Sequence, residues 1–486
     1  MSHKNFYITT TLPYVNSDPH IGFAMEIVRA DVIARAKKLE GFNVFFNTGT
    51  DEHGQKLFDA AKNKGMDVQK YVDSYAEKFK DLKGVLNISD DVHFIRTTDE
   101  HHIKAAQEFW KRCKENGYIY KKNYQAKYCV GCELNKTDSE LTEEGECPIH
   151  PNNKIELIDE DNYFFEFSSF QGKLLQLYES NPTFVIPDFR FNEIKAFVKN
   201  GLEDFSISRL KSKMSWGVPV PDDSDHVMYV WFDALVNYIS TLGWPEDKHS
   251  FDKFWADKDT LTVQYCGKDN LRQQSAMWQA MLMAADLPNT KQIVINGFIT
   301  GEGGVKMSKS IGNVINPIDI VNAYGTDALR YFLLRELSPF EDSPFTIERF
   351  KESYNANLAN GLGNLVSRVL TMAENNNVKA RDIDMESFEK LSLKQSHFLD
   401  EFKTNEAMND IWHKISEADT LIQVKQPFKL VKTDFEKAEV EIKTLLQLLI
   451  EISVKLRPFL PETSKKIEEL IKENKKPEAP LFLRKD

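Results

Sequence analysis

Cysteine is scarce, five in 486 residues, too few for a disulfide framework in a chain of this length. Long apolar runs are missing as well, and none approaches the roughly 20 residues that a membrane-spanning helix needs. The opening MSHKNFYITT has no signal-peptide apolar core. Positive charge is in deficit: 62 Lys and Arg face 74 Asp and Glu, a net charge of −12. That excludes indiscriminate polyanion binding and confines any nucleic-acid contact to local basic patches. Internal repeats and low-complexity tracts are absent. A soluble protein of a reducing, cytoplasmic compartment is expected, and the length allows about two to four domains.

What is present begins with TTTLPYVNSDPHIGFAMEIVRADVIARAKKLEG, from Thr9. The run Phe6–Leu12 is β-branched and aromatic, as a short buried strand is. Past the turn, Phe23, Ile27, Ala30 and Ala34 recur at helical spacing and predict an amphipathic helix, with Gly41 as its stop. FNVFFNTGT then reads as a second buried strand, so the unit is a crossover with two parallel strands. In open parallel sheets, ligands sit outside the carboxyl ends of the strands. The polar clusters PYVNSDPHIG and GTDEHG fall there. A helix start near Gly22 offers N–H groups and a positive dipole end to an anion. Gly22 permits close approach of a ligand, and His20 could donate to phosphate. A plain turn would also account for Pro-His-x-Gly, so this stretch alone leaves both readings open.

Strands and helices alternate to about Trp110. A Cys-rich loop segment (Tyr124–Pro151) and mixed structure to about Val220 follow. Alternation resumes through HVMYVWFDALVNYIS, TLTVQYCGKDN with the helix LRQQSAMWQAMLMAADLP, and KQIVINGFIT. The pattern predicts an α/β fold, a Rossmann-like parallel sheet split by an insertion of about a hundred residues. Beyond Asn316 it is almost entirely helical, an α-helical bundle, closed by an irregular tail, KENKKPEAPLFLRKD. The expected domains are 1–115, the first half of the sheet; 116–222, the insertion; 223–340, the second half; and 341–486, the helical part.

Within the insertion, Cys129-x-x-Cys132 and Cys147-x-x-His150 form two ligand pairs, each able to reach one ion from a tight turn. Four protein ligands leave no open position, so one structural zinc is expected. Cys113 and Cys266 lie in apolar surroundings and read as core thiols. After KQIVINGFIT comes GEGGVKMSKSIG, a Gly-rich loop in which Lys306 and Lys309 stand beside Ser308 and Ser310. It lacks the Walker spacing, yet it would clamp a departing pyrophosphate well. Taken alone, an exposed lysine loop without a role is the better fit.

PHIGF and KMSKS on either side of a split sheet resemble the paired motifs of class I aminoacyl-tRNA synthetases. LPYVNSDPHIG, NTGTDEHGQK, the zinc knuckle, SWGVPVPDD and YVWFDALVNY narrow the resemblance to the methionyl-tRNA synthetase family, over essentially the whole chain. The resemblance implies that methionine and ATP react to methionyl-adenylate and pyrophosphate. Methionine then passes to the terminal ribose of methionine tRNA, initiator and elongator alike. It further implies that His20, Gly22 and Phe23 adjoin ATP, and that Lys306 and Lys309 close onto the pyrophosphate with magnesium brought by ATP. Phe23 replaces the second histidine of the family motif. Asp51 takes the ammonium, and Leu12, Tyr14, Trp231, Ala234 and Tyr238 line the side-chain pocket, where aromatic edges suit sulfur. Asn270 and Gln274 depart from the family pattern, which has an aliphatic residue and His there.

In SYNANLANGLGNLVSRVLTMAENN, Leu358, Leu362, Leu365 and Val369 make an apolar stripe, and Asn360, Asn364 and Arg368 form a separate polar face. By resemblance this helix reads the anticodon, with Phe428 after Pro427 as a stacking ring. Between Arg190 and Lys213, six Lys or Arg stand against three Asp or Glu, a basic strip suited to a tRNA acceptor end or simply to solvent. The missing carboxy-terminal appendage of longer relatives predicts a monomer, and no membrane partner is expected. A class I synthetase for leucine, isoleucine or valine would carry a far larger insertion, for editing. A non-catalytic zinc-knuckle RNA-binding module would not need the lysine clamp.

Overall fold

The computed structural model describes residues 4–132, 134–136, 140–151, 155–305, 307, 314–380 and 397–485. The first apolar run forms β1 (Asn5–Thr10), buried on both faces beyond its first residue, as a central parallel strand must be. Helix α1 (Ile21–Leu39) follows and ends before Gly41, whose φ of 86° only glycine adopts readily. The chain then returns as β2 (Asn43–Thr50), parallel to β1 with Ile8 opposite Phe46. Helices α2 (Gln55–Asn63) and α3 (Val68–Val85) lead to β3 (His93–Arg96), and α4 (Glu100–Glu115) leaves the sheet.

The insertion then begins. Its strands β4 (Ile119–Cys129), β5 (Leu134–Lys136) and β6 (Ile155–Phe165) join β8 (Phe205–Ser206) in an antiparallel sheet of order β5-β4-β6-β8. The Cys-rich segment is therefore not a loop throughout: β4 and β6 pair along eleven residues each, from Ile119 opposite Phe165 to Cys129 opposite Ile155. Adjacent charged residues (Lys121 and Lys122 in β4; Asp159, Glu160 and Asp161 in β6) break the apolar alternation of both strands, which hid a ladder held by main-chain bonds. The strand β7 (Val185–Ile186) lies in the same stretch of sequence yet pairs with the main sheet.

The parallel sheet resumes with β11 (Leu261–Gly267) and β12 (Gln292–Asn296), giving the order β3-β2-β1-β11-β12-β7. The expected strand in HVMYVWFDALVNYIS does not enter it. Only His226–Met228 is extended, as β10, and it pairs antiparallel with β9 (Ser208–Leu210). The helical turns Val230–Ala234 and Asn237–Ser240 take the rest of that segment. Chain order reverses between β1 and β11, which opens a crevice at their carboxyl ends. Short β13 (Ile299–Thr300) and β14 (Ser343–Pro344) pair beside it.

From Pro317 onward the described residues are mostly helical apart from β14 and the tail, with longer helices at Asn364–Asn375, Thr404–Lys425, Phe435–Leu456 and Pro461–Glu473. The tail packs back on them: Phe482 is buried, and the Leu483 carbonyl accepts from the Tyr354 hydroxyl at 2.9 Å. Helix α1 is not amphipathic as the periodicity predicted. Fourteen of its residues are buried, on every face, Glu26, Arg29 and Asp31 included. It lies between the sheet and the helical part, and its polar side chains bond inward. Arg29 donates to the Leu333, Leu337, Ser338 and Pro339 carbonyls, and Asp31 meets Arg330 at 2.9 Å. Burial alone would raise the Asp31 carboxyl, but Arg330 and Arg35 hold it below its usual range. Among the described residues, no helix is long and apolar enough to cross a membrane.

Candidate active site

A cavity of about 400 Å³ opens at the β1–β11 crevice. Leu12, Tyr14, His20, Gly22, Phe23, Asp51, Trp231, Ala234 and Tyr238, scattered over more than two hundred positions of sequence, all line it. Lys306 and Lys309, with Ser308 and Ser310, lie outside the described residues. The turn Glu302–Gly304 after β13 is the segment that leads toward them.

His20 caps α1. Its Nδ1 accepts from the Gly22 backbone N–H at 3.1 Å. A ring nitrogen that accepts carries no proton, so the donor of this imidazole is Nε2. The ring itself is exposed. The glycine has a reason that the sequence did not reveal: a Cβ on residue 22 would meet His20 Cε1 and Nδ1 at 3.0 Å. Phe23 is buried edge-on against Phe79, with centroids 5.2 Å apart, and brings an apolar edge and no donor.

The loops after β1 and β2 are tied together. Tyr14 and Asp51 form an isolated parallel bridge, with Val15 N to Asp51 O at 3.2 Å and Asp51 N to Pro13 O at 3.0 Å. Asp51 is buried at this junction. Next to it, His53 Nδ1 and Asp233 Oδ2 are 2.9 Å apart, both buried, joining the Asp51 loop to the turn that carries Trp231 and Ala234. Burial raises the Asp233 carboxyl, and His53 offsets this. The Trp216 indole donates to the Glu52 carbonyl at 2.6 Å and braces the same loop. On the floor, Glu26 accepts from Thr11 N at 2.8 Å and from Thr11 Oγ1 at 2.5 Å. Burial pushes Glu26 up to about 8 against those bonds. The back wall holds Tyr238, fully buried, whose hydroxyl accepts from Gln274 Nε2 at 2.5 Å.

Sequence reading missed Glu26, His53, Asp233 and Lys56. A charged residue inside an apolar helix was the available signal for Glu26. The His53–Asp233 partnership spans 180 positions and leaves no local pattern.

Cys129, Cys132, Cys147 and His150 converge, with their ligand atoms all within 4.8 Å of one another. Cys132 Sγ lies 3.4 Å from Cys147 Sγ and 3.3 Å from His150 Nδ1. Three thiols and an imidazole at this spacing suit a tetrahedral zinc with a closed shell. The knuckle touches the pocket: Cys132 is one of its lining residues, and Lys56 Nζ, which also lines it, donates to the Gly131 carbonyl at 2.7 Å. Arg272 holds Glu140 at 3.1 Å on another side.

Far along the chain, Asn360 and Asn364 are exposed on one face, while Leu358, Leu362, Leu365 and Val369 are fully buried. Arg368 is half-buried and ion-paired with Asp419 at 3.0 Å. Phe428 is 46% exposed, next to buried Pro427. The strip from Arg190 is partly used internally: Arg190 pairs with Glu193, Lys195 lies over Phe191, and buried Arg209 lies over Tyr128 and Tyr229. Lys211 and Lys213 are exposed.

Residues 6–156 and 150–370 match the family described as tRNA synthetases class I (M), and residues 375–480 match the anticodon binding domain of methionyl tRNA ligase. A methionine–tRNA ligase of Thermotoga maritima is 40% identical, covering 97% of this chain and 76% of its own length. One from Rickettsia typhi is 40% identical, at 96% and 92%. Among solved structures, Mycobacterium tuberculosis methionyl-tRNA synthetase in complex with methionyl-adenylate superposes with a TM-score of 0.88 at 35% identity, covering 96% of this chain and 94% of that one.

Proposed function

The chain belongs to the methionyl family of class I aminoacyl-tRNA synthetases, and we infer from this how its crevice works. It is an ATP-dependent methionine–tRNA ligase. Methionine attacks the α-phosphate of ATP, pyrophosphate leaves, and the aminoacyl group passes from the adenylate to the terminal ribose hydroxyl of methionine tRNA. The observation that supports this most is that one cavity is lined both by a helix start suited to an anion and by a carboxylate among aromatic rings.

The roles follow from the chemistry of each wall. The carboxylate of Asp51 pairs with the methionine ammonium, and Leu12, Tyr14, Trp231, Ala234 and Tyr238 enclose the thioether chain. His20 Nε2 and the N-terminal end of α1 at Gly22 and Phe23 receive the ATP phosphates, where N–H groups and the helix dipole favour negative charge. Lys306 and Lys309 stabilise the departing pyrophosphate, and magnesium enters with ATP as part of the substrate. Such a reaction needs positioning and charge neutralisation more than covalent chemistry.

Cys129, Cys132, Cys147 and His150 would hold one zinc, which would cross-link the insertion and take no part in the reaction. Residues 1–115 and 223–340 form the catalytic body, 116–222 the insertion and 341–486 the part that reads tRNA. Within that last part, Asn360, Asn364 and Arg368 meet anticodon bases and Phe428 stacks on one. Lys211 and Lys213 guide the acceptor end. The protein acts as a cytoplasmic monomer on initiator and elongator methionine tRNA. Charging of methionine tRNA with labelled methionine tests the reading, and charging of leucine or isoleucine tRNA in its place would overturn it.

A further inference from the structure

Behind the pocket lies a row of buried amides that adenylate formation does not require. Gln264, Gln274, Gln279 and Thr290 are at most 2% exposed. Buried polar groups persist when their donors and acceptors match, so the direction of each bond is informative. The backbone N–H of Thr290 donates to Gln279 Oε1 at 3.1 Å, and Asn289 Nδ2 adds a second bond at 3.1 Å. A main-chain N–H cannot accept, so this end fixes which way round the Gln279 amide lies. Its Nε2 therefore donates, to Thr290 Oγ1 at 3.1 Å and to the Gln274 carbonyl at 2.9 Å. The Thr290 hydroxyl, having accepted, passes its own proton to Gln264 Oε1 at 2.5 Å. Gln264 Nε2 then donates to Gln274 Oε1 at 2.9 Å, and Gln274 Nε2 donates to the Tyr238 hydroxyl at 2.5 Å. Reversing the row would leave the Thr290 proton with no acceptor among the described residues.

The row ends at a ring that lines the cavity. Because Tyr238 Oη accepts from Gln274, its own proton is directed elsewhere, and burial holds the phenol well above its ordinary range, so that proton stays on. We propose that Thr290, Gln279 and Gln264 are specificity-positioning residues: anchored on the Thr290 N–H, they orient Gln274 so that Tyr238 presents a hydrogen-bond donor to the bound amino-acid side chain. This rests on the reading of the cavity as the methionine pocket. A thioether sulfur is a weak acceptor and gains from such a donor; a methylene at the same place gains nothing. With the Gln274 amide turned round, its oxygen would take the phenolic proton, and the wall would no longer tell sulfur from methylene. The row thus discriminates methionine from norleucine, which matches it in length.

The test compares pyrophosphate exchange with methionine and with norleucine, as kcat/KM, in the parent, Thr290→Val and Thr290→Ser. Valine keeps the volume and removes the hydroxyl; serine keeps the hydroxyl. The preference for methionine should fall about three- to tenfold in Thr290→Val, the size of one neutral hydrogen bond. The loss should appear in the methionine KM, with the ATP KM unchanged and the preference restored in Thr290→Ser. Should Thr290→Val not fold, Gln264→Leu breaks the row one link on and is read in the same way. An unchanged preference in an active variant, or a loss in Thr290→Ser equal to that in Thr290→Val, overturns the relay. A parent that exchanges with norleucine or leucine but not with methionine overturns the pocket assignment beneath it.

Discussion

Tyr14 and Asp51 face each other across a one-residue parallel bridge, closed by main-chain bonds of 3.0 and 3.2 Å on either side. The loops leaving β1 and β2 are therefore tied together, and ring and carboxylate spring from one junction. The bridge is made by main-chain atoms, so changing the Asp51 side chain leaves it intact. Asp51→Asn keeps the shape and removes the charge that pairs with an ammonium. The methionine KM should rise roughly ten- to hundredfold, the worth of one charge-assisted bond, with the ATP KM little changed. Equal losses for both substrates would point to a disturbed fold instead.

His20 does two things with two nitrogens, and conservative variants separate them. Asparagine can mimic Nδ1 and keep the cap on α1; glutamine can place an amide nitrogen near Nε2. Thermal stability should therefore be kept better by His20→Asn than by His20→Gln, since a lost cap costs about 1 kcal/mol. The exchange rate should follow the opposite order, with His20→Asn slowed on the order of 10²-fold as for a lost transition-state donor. Steady-state exchange and melting curves on both proteins check this. Identical rates in the two variants would remove Nε2 from the phosphate site.

The Cys129–His150 cluster should carry about one zinc per chain in the purified protein. Chelation should lower the melting temperature, because Lys56 and Arg272 fasten the knuckle to the catalytic body through Gly131 and Glu140. Metal analysis that finds no zinc, even after reconstitution, sinks the assignment.

Asn364→Ala and Arg368→Ala should each slow charging of methionine tRNA by at least about tenfold while leaving pyrophosphate exchange at the parent rate. Phe428→Ala should cost less, as a loss of stacking. Arg368 already pairs with Asp419, so Asp419→Asn, which frees the guanidinium, should alter charging and leave exchange alone. Charging at parental speed by the Asn364 and Arg368 variants would place anticodon reading elsewhere.

The parallel strands β1, β2, β11 and β12 were legible because buried parallel strands are short continuous apolar runs. The knuckle was legible because its ligands sit in two local pairs. Helix α1 misled because Glu26, Arg29 and Asp31 look like a solvent face, whereas Arg29 is satisfied by carbonyls about three hundred positions away. The two residues of β7 carry no periodicity at all. In the site, His20, Gly22 and Asp51 stand in compact motifs. His53–Asp233 and the row from Thr290 to Tyr238 exist only once distant segments meet, and buried amides read in sequence as ordinary polar residues.

Methionine-dependent exchange of labelled pyrophosphate into ATP tests the central claim most directly, since it needs no tRNA and isolates the crevice. The purified chain should exchange rapidly with methionine and magnesium, far more slowly with leucine, isoleucine or valine, and not at all without an amino acid. Exchange driven by one of those other amino acids, or no exchange with methionine by folded, zinc-loaded protein, would contradict it.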